Sequence, residues 1–336
     1  MLIAIQEDDM NTTGTRTERI VVGYDGSPSA RLAVGWAAEE AARRGLPLTV
    51  LHAADYTGLV GGPVSTSPWA PGLSLDHARH VAEAGAELAR GRDAGLEVQA
   101  VTGIGSAATV LIQESAGAAL VVVGTRGHGD VAGLLLGSVA ARVAAHAHCP
   151  VVVVRGERVV SAGPGRRVVV GVDGSKAAGA ALRVAVEQAV AAGAPLRVVC
   201  VWIPTSPEGW DRGYWVAVDA EHDPDDTAAA AAEGVAAEAA ATVRELAPDL
   251  AVETRVAGGD PAAVVLAAAG DAGLVVVGAR GRGSLVSLFL GPVSHADVHG
   301  APCPVLVVRA PATQPAEPAA ADAGHTTSAW IPTGLL

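Results

Sequence analysis

Short apolar runs recur along the chain, each followed by a turn signal and then by a stretch with helical character. Ile20-Val21-Val22-Gly23 comes first and runs through Tyr24-Asp25 into Gly26-Ser27-Pro28. A run this short, β-branched and continuously apolar predicts a buried strand. Ser27 can cap the following helix, with Pro28 at its first position, and Gly45-Leu46-Pro47 stops that helix after Arg44. Residues 48–53 predict a second strand. Strand, helix and strand in this order make a parallel βαβ unit with a right-handed connection. Residues 55–72, rich in proline and glycine and carrying Tyr56 and Trp69, predict a long irregular connection, either a lid or a loose crossover. A helix over 75–92, a strand over 96–101 and a helix capped by Ser106 come next. Leu120-Val121-Val122-Val123 predicts the fourth strand, and a helix over 138–148 leads through Pro150 to the fifth, Val151-Val152-Val153-Val154.

The pattern then restarts. Val168-Val169-Val170-Gly171-Val172-Asp173-Gly174-Ser175 repeats residues 20–27 with an offset of 148, and Pro195-Leu196 repeats Pro47-Leu48. Gly259-Asp260 and Cys303-Pro304 repeat Gly105-Ser106 and Cys149-Pro150 with an offset of 154, so six residues enter after the second strand of the second copy. That region, 203–227, holds Trp210, Tyr214, Trp215 and an acidic cluster over 219–226; the aromatics either pack a long loop or meet a ligand. The duplication predicts an α/β chain of two tandem five-stranded parallel open sheets with helices on both faces. The domains span 18–155 and 167–309, with a linker over 156–166 and disordered tails over 1–17 and 310–336.

Composition narrows the function. A chain of 336 residues is long enough for two domains that each bury a core. A net charge of -12 leaves no basic footprint for nucleic acid or a membrane surface. Cys149, Cys200 and Cys303 are too few and too scattered for a disulfide framework, which fits a reducing cytoplasm. Residues 1–5 are apolar but have neither the basic start nor the length of a signal peptide. Arg142 and His146 break the best candidate for a membrane span.

The candidate chemistry lies in the loop after the fourth strand. Gly124, two residues, Gly127, nine residues and Gly137-Ser138 form a turn into a helix. Glycines let backbone amides approach a ligand, and a helix start favours an anion, so the combination suits a phosphate. Gly278, Gly281 and Gly291 repeat the spacing in the second copy, but Pro292 stands where Ser138 stands and has no N–H to give. No Gly-Lys-Ser or Gly-Lys-Thr occurs, which excludes a P-loop. Residues 127–132 match the dinucleotide fingerprint formally, yet they do not follow the first strand of a unit.

With these glycines and the Asp-Gly-Ser turn after the first strand of each copy, the chain resembles the nucleotide-binding branch of the universal stress protein family over residues 19–155 and 167–309. The resemblance implies a Rossmann-like, adenine nucleotide alpha hydrolase-like fold with strand order 3-2-1-4-5. A ligand then settles between strands one and four, where the order reverses. It also implies ATP as ligand in each domain. The implied contacts in the first are Gly23, Asp25, Gly124, Thr125, Arg126, Gly127, Gly137, Ser138 and Val139; in the second they are Gly171, Asp173, Gly278, Ala279, Arg280, Gly281, Gly291, Val293 and Ser294. Ser294 stands where the first copy has Ala140 and could restore a hydroxyl contact.

Each residue also has a plainer reading. Asp25 and Asp173 can simply bond their own turn backbone. Beside phosphates, a carboxylate calls for a bridging cation such as Mg²⁺. Arg126 and Arg280 either neutralise phosphate charge or lie solvated on the surface, and His128 is a loop contact or an exposed side chain. His146, His148 and Cys149 crowd metal-type donors together, but the second copy has Gly300 and Pro302 at the histidine positions and adjacent residues rarely complete a tetrahedral site, so no metal site is expected. No nucleophile, base and orienter recur in both copies, which points to a binding module and not an enzyme. An adenine nucleotide partner, pairing of the two domains through their last strands and a further homodimer follow from that reading. The competing classes are an interaction scaffold with empty sites and an ATP-using enzyme. The latter wants Ser-Gly-Gly or His-x-x-His after strand one, and neither occurs.

Overall fold

A computed structural model describes residues 18–54, 70–125, 127, 136–204, 224–279 and 300–309. The first half builds strands β1 (Ile20–Gly23), β2 (Leu48–Ala54), β3 (Val98–Ile104), β4 (Leu120–Gly124) and β5 (Val151–Val154). Between them lie helices α1 (Pro28–Arg44), α2 (Ala70–Arg90), α3 (Ala107–Glu114) and α4 (Ser138–His146). The second half repeats this as β6 (Arg167–Val172), α5 (Lys176–Ala192), β7 (Leu196–Trp202), α6 (Pro224–Leu246), β8 (Val252–Gly258), α7 (Pro261–Ala268), β9 (Ala272–Gly278) and β10 (Val305–Val308). All strands of each half run parallel, in the order 3-2-1-4-5 for the first and its repeat for the second. The two halves form one ten-stranded sheet through a single antiparallel pair, β5 with β10, where Val152 faces Leu306.

The continuous valine runs are explained by helices on both faces. Ile20, Val22, Leu120, Val122, Val152 and Val154 point to one face and pack under α1 and α2. Their neighbours Val21, Val121, Val123, Val151 and Val153 point to the other, under α3 and α4. The helix sides facing the sheet are mostly alanine, as at Ala33, Ala37 and Ala41 of α1, which lets helix and sheet approach closely. Both clusters run on without a break into the second half.

Local signals place the helix ends. Ser27 accepts from Ala30 N–H at 3.2 Å, and Gly45 closes α1 at φ 64°, a conformation that suits glycine. Ser175 and Asp260 cap α5 and α7 in the same way.

Several boundaries differ from the sequence expectation, among them β2 running to Ala54 instead of 53 and α2 ending at Arg90 instead of 92. α2 begins at Ala70 instead of 75. β3 covers Val98–Ile104 instead of 96–101, because it follows β2 in register out to Ala54 paired with Ile104. Gly103, which has no side chain to signal a strand, lies where a Cβ would stand 2.4 Å from Val110 Cγ1. α4 ends at His146 instead of 148, since Ala147 turns to extended backbone and Ser115 Oγ accepts from His148 N–H.

The residues joining the halves are packed. Val159 sits against Gly35 of α1, Ser161 Oγ donates to Glu39 at 2.8 Å, and the Ser161-Ala162 backbone crosses directly over Gly273 of β9.

Candidate functional site

At the carboxyl ends of β1, β2 and β4 a cleft of about 340 Å³ opens, the size of a small-ligand site. It lies where the strand order reverses, between β1 and β4. Gly23, Asp25, Gly124, Thr125, Gly127, Gly137, Ser138 and Val139 all line it. Eight of the nine contacts expected in the first half therefore meet in one place; the ninth, Arg126, lies outside the described residues.

The sequence builds this cleft from two turns. After β1 the chain turns through Asp25, whose Oδ1 accepts from Ser27 N–H at 2.9 Å, and Ser27 in turn caps α1. After β4, Thr125 N–H donates to the Val154 carbonyl of β5 at 3.2 Å, and the Thr125 carbonyl accepts from Gly137 N–H at 2.7 Å. The excursion from 125 to 137 is thus pinned at its neck. Gly137 is the cap residue of α4 and has no side chain to bond the first turn, and that turn, Ser138, Val139 and Ala140, lines the cleft.

The glycines serve the protein's own packing as much as ligand access. A Cβ at Gly124 would stand 2.7 Å from the Ser29 backbone carbon, so this glycine seats the first turn of α1. A Cβ at Gly127 would stand 2.5 Å from Asp25 Oδ2, and Gly23 admits Leu111 at 3.0 Å. Gly127 brings the two turns together: the loop after β4 reaches the carboxylate after β1.

The sequence reading missed the wall of the cleft. Tyr24, Ala30, Leu51, His52, Ala107 and Leu111 line it as well. His52 Nδ1 lies 2.8 Å from the Tyr24 carbonyl. The buried Tyr24 ring packs over Gly85 of α2, where a Cβ would stand 2.6 Å from Tyr24 Cδ1. The available signal was position: His52 follows directly on the apolar run of β2, whose carboxyl end neighbours β1.

In the second half, Asp173 Oδ1 accepts from Ser175 N–H at 2.9 Å, and Ala279 N–H donates to the Val308 carbonyl at 2.7 Å, repeating Asp25 and Thr125. Gly278 seats Ala177 of α5 with a Cβ distance of 3.0 Å to its backbone, and Gly171 has ordinary room. Arg280, Gly281, Gly291, Pro292, Val293 and Ser294 lie outside the described residues, as do His128, Trp210, Tyr214 and Trp215.

Burial pushes the Cys149 thiol up to about 12, and its Sγ donates to the Pro150 carbonyl, so in the bend before β5 it stays protonated at neutral pH. Among the described residues no group of three His, Cys, Asp or Glu side chains converges as a metal site requires. None of the described helices is long and apolar enough to cross a membrane.

A doubly wound α/β strand order present twice in one chain, with a cleft at the reversal in the first half, defines the class as Rossmann-like and adenine nucleotide alpha hydrolase-like. The model of the universal stress protein family matches residues 16–155 and again 165–309, and the chain belongs to that family. Universal stress protein Rv2623 of Mycobacterium tuberculosis is 33% identical over 210 residues, covering 61% of this chain and 71% of that protein. Universal stress protein Rv1996 of the same species is 34% identical over 221 residues, covering 60% and 68%. Among solved structures, a universal stress protein from Archaeoglobus fulgidus shares the fold with a TM-score of 0.63 at 21% identity, covering 88% of this chain and 99% of that one.

Proposed function

We propose that this protein binds an adenine nucleotide, ATP, in each half, and that occupancy changes its shape or partners so that it acts as a nucleotide-dependent regulator of a stress response in the cytoplasm. Residues 18–155 and 167–309 are then two binding domains, and the antiparallel β5 and β10 pair is their intramolecular contact. The observation that carries this reading is the first cleft, which the uncapped start of α4 at Gly137-Ser138 and the Asp25 turn line together. The phosphates belong at the α4 start. The nucleoside belongs toward β2, on the far side of β1.

Mg²⁺ fits only jointly with nucleotide. It is commonly held by one or two carboxylates plus substrate phosphates, and Asp25 is the carboxylate on the cleft wall. When bound, the ion would screen the phosphates from that carboxylate. Asp25 holds the turn through Ser27 N–H, Gly127 gives it room, and the α4 start receives the anion. The protein is a binding module in this reading, without catalytic residues, and whole chains can pair as a homodimer. A nucleotide-independent scaffold that pairs with other chains through its last strand is less well supported. β5 is flanked by β4 and β10, and β10 by β9 and β5, so neither last strand keeps an open edge.

Small molecules released from the purified protein by denaturation should include adenine nucleotide. ATP at ~100 times its dissociation constant should add roughly 2.7 kcal/mol to stability, read as a rise in melting temperature. An empty protein whose melting ATP does not move would overturn the reading.

A further inference from the structure

The two halves do not carry the same residues at the wall positions of this cleft. The offset of 148 puts Val172 where Tyr24 stands and Cys200 where His52 stands. This difference has a definite chemical content.

A backbone carbonyl only accepts, so the contact between His52 Nδ1 and the Tyr24 carbonyl requires the proton on Nδ1. In the neutral ring Nε2 is then the bare acceptor. Nε2 has no partner among the described residues, and the buried side-chain atoms without partners are at Trp36, Gln188 and Arg197, not here. The ring itself lines the cleft. His52 therefore presents to the cleft an acceptor at Nε2 that no described residue takes up. Cys200, buried at the same register position, offers only a thiol.

Position says what that acceptor reads. His52 lies at the end of β2, and Gly124 lies at the end of β4, with β1 between them. Neighbouring strands are about 4.8 Å apart, so the two are separated by roughly 10 Å across the sheet. That is far from an anion at the α4 start and suits the other end of a nucleotide. An acceptor at His52 disfavours a second anion there and favours a donor.

We propose that His52 is a specificity determinant of the first site, accepting a hydrogen bond at Nε2 from an N–H or O–H donor of the nucleoside, and that the second site lacks this selection. The inference rests on the nucleotide reading above and adds to it which residue reads the base or sugar, and that the two sites read differently.

Two substitutions separate this role from a structural one. His52→Asn keeps an amide N–H near the position of Nδ1 for the Tyr24 carbonyl and has no atom at Nε2. His52→Gln places an amide near Nε2. Calorimetric titration of the full chain would use ATP, ITP, which has an oxo group in place of the adenine amine, and dATP, which lacks the 2′-hydroxyl. The first site is identified as the one lost in Gly137→Asp. His52→Asn should weaken ATP at the first site about five-fold or more, leave the second site unchanged and leave unliganded melting unchanged, while His52→Gln recovers part of the affinity. The wild-type first site should discriminate against ITP if the donor is the amine, or against dATP if it is the hydroxyl, and His52→Asn should erase that preference. Equal ATP affinity in wild type and His52→Asn, or wild-type indifference to both analogues, overturns the role of His52 while leaving nucleotide binding in place. Binding of none of the three by the wild type overturns the nucleotide reading and this inference with it.

Discussion

Gly127 and Gly137 share a residue type and a loop but are glycine for different reasons. At Gly127 the missing side chain makes room for Asp25 Oδ2, so any larger residue would push the carboxylate out of the turn it closes. At Gly137 the backbone is ordinary, φ -68° and ψ 151°, which any residue adopts. What glycine provides there is the absence of an acceptor at the helix cap. Aspartate is among the best cap residues, and relative to glycine it should alter helix stability by only a few tenths of a kcal/mol. Gly137→Asp is therefore expected to leave melting nearly unchanged while its carboxylate takes the first-turn amides and repels phosphate. The expected result is loss of nucleotide binding at the first site, measured by calorimetric titration. Retained affinity there would mean that phosphate is not held at the α4 start.

At the scale of elements, the sheet carries the site because each strand end is fixed by a neighbour. Gly124 shows the dependence, since its position sets how closely α1 approaches β4. Gly124→Ala would place a methyl 2.7 Å from the Ser29 backbone carbon, and backbone cannot yield as a side-chain tip can. The expected cost is about 1–3 kcal/mol, read by denaturant unfolding, with weakened binding because the Asp25 turn leads directly into α1. Unchanged stability would show that α1 can shift freely. The strands and their parallel pairing were legible in the sequence because valine runs, glycine stops and an internal repeat all agree, whereas the strand order, and with it the cleft's place between β1 and β4, followed only from the family resemblance. Less legible were features set by contacts between distant segments. β3 extends through Thr102 and Gly103 because β2 templates it, not because its own pattern is apolar. His52 and Tyr24 reach the cleft only once β2 lies beside β1. Even the role of Gly124 was half visible, since a sequence shows that space is needed and not that Ser29 fills it.

At the scale of the molecule, duplication has produced one sheet and two cores that each span both halves. One core lies on each face, and neither divides at the β5 and β10 seam. Arg309, just beyond β10, donates to the Ala145 carbonyl near the end of α4, so the second half also caps the helix whose start forms the first site. The segment after β5 adds a second tie, crossing over β9 at Gly273, where a Cβ would stand 2.4 Å from the Ser161 carbonyl oxygen and 2.5 Å from Ala162 Cα. Shared cores predict that the halves unfold together, in one calorimetric transition whose enthalpy matches the van't Hoff value. Gly273→Ala should lift the crossing segment and lower the melting temperature by a few degrees, through about 1–3 kcal/mol of overpacking. The transition should nevertheless stay single, because the seam and both cores remain. Two resolved transitions in the variant would show that the crossing segment, and not the sheet, is what makes the halves one folding unit. Two transitions in the wild type would show that each half folds alone, and that ligand at one site stabilises only its own half.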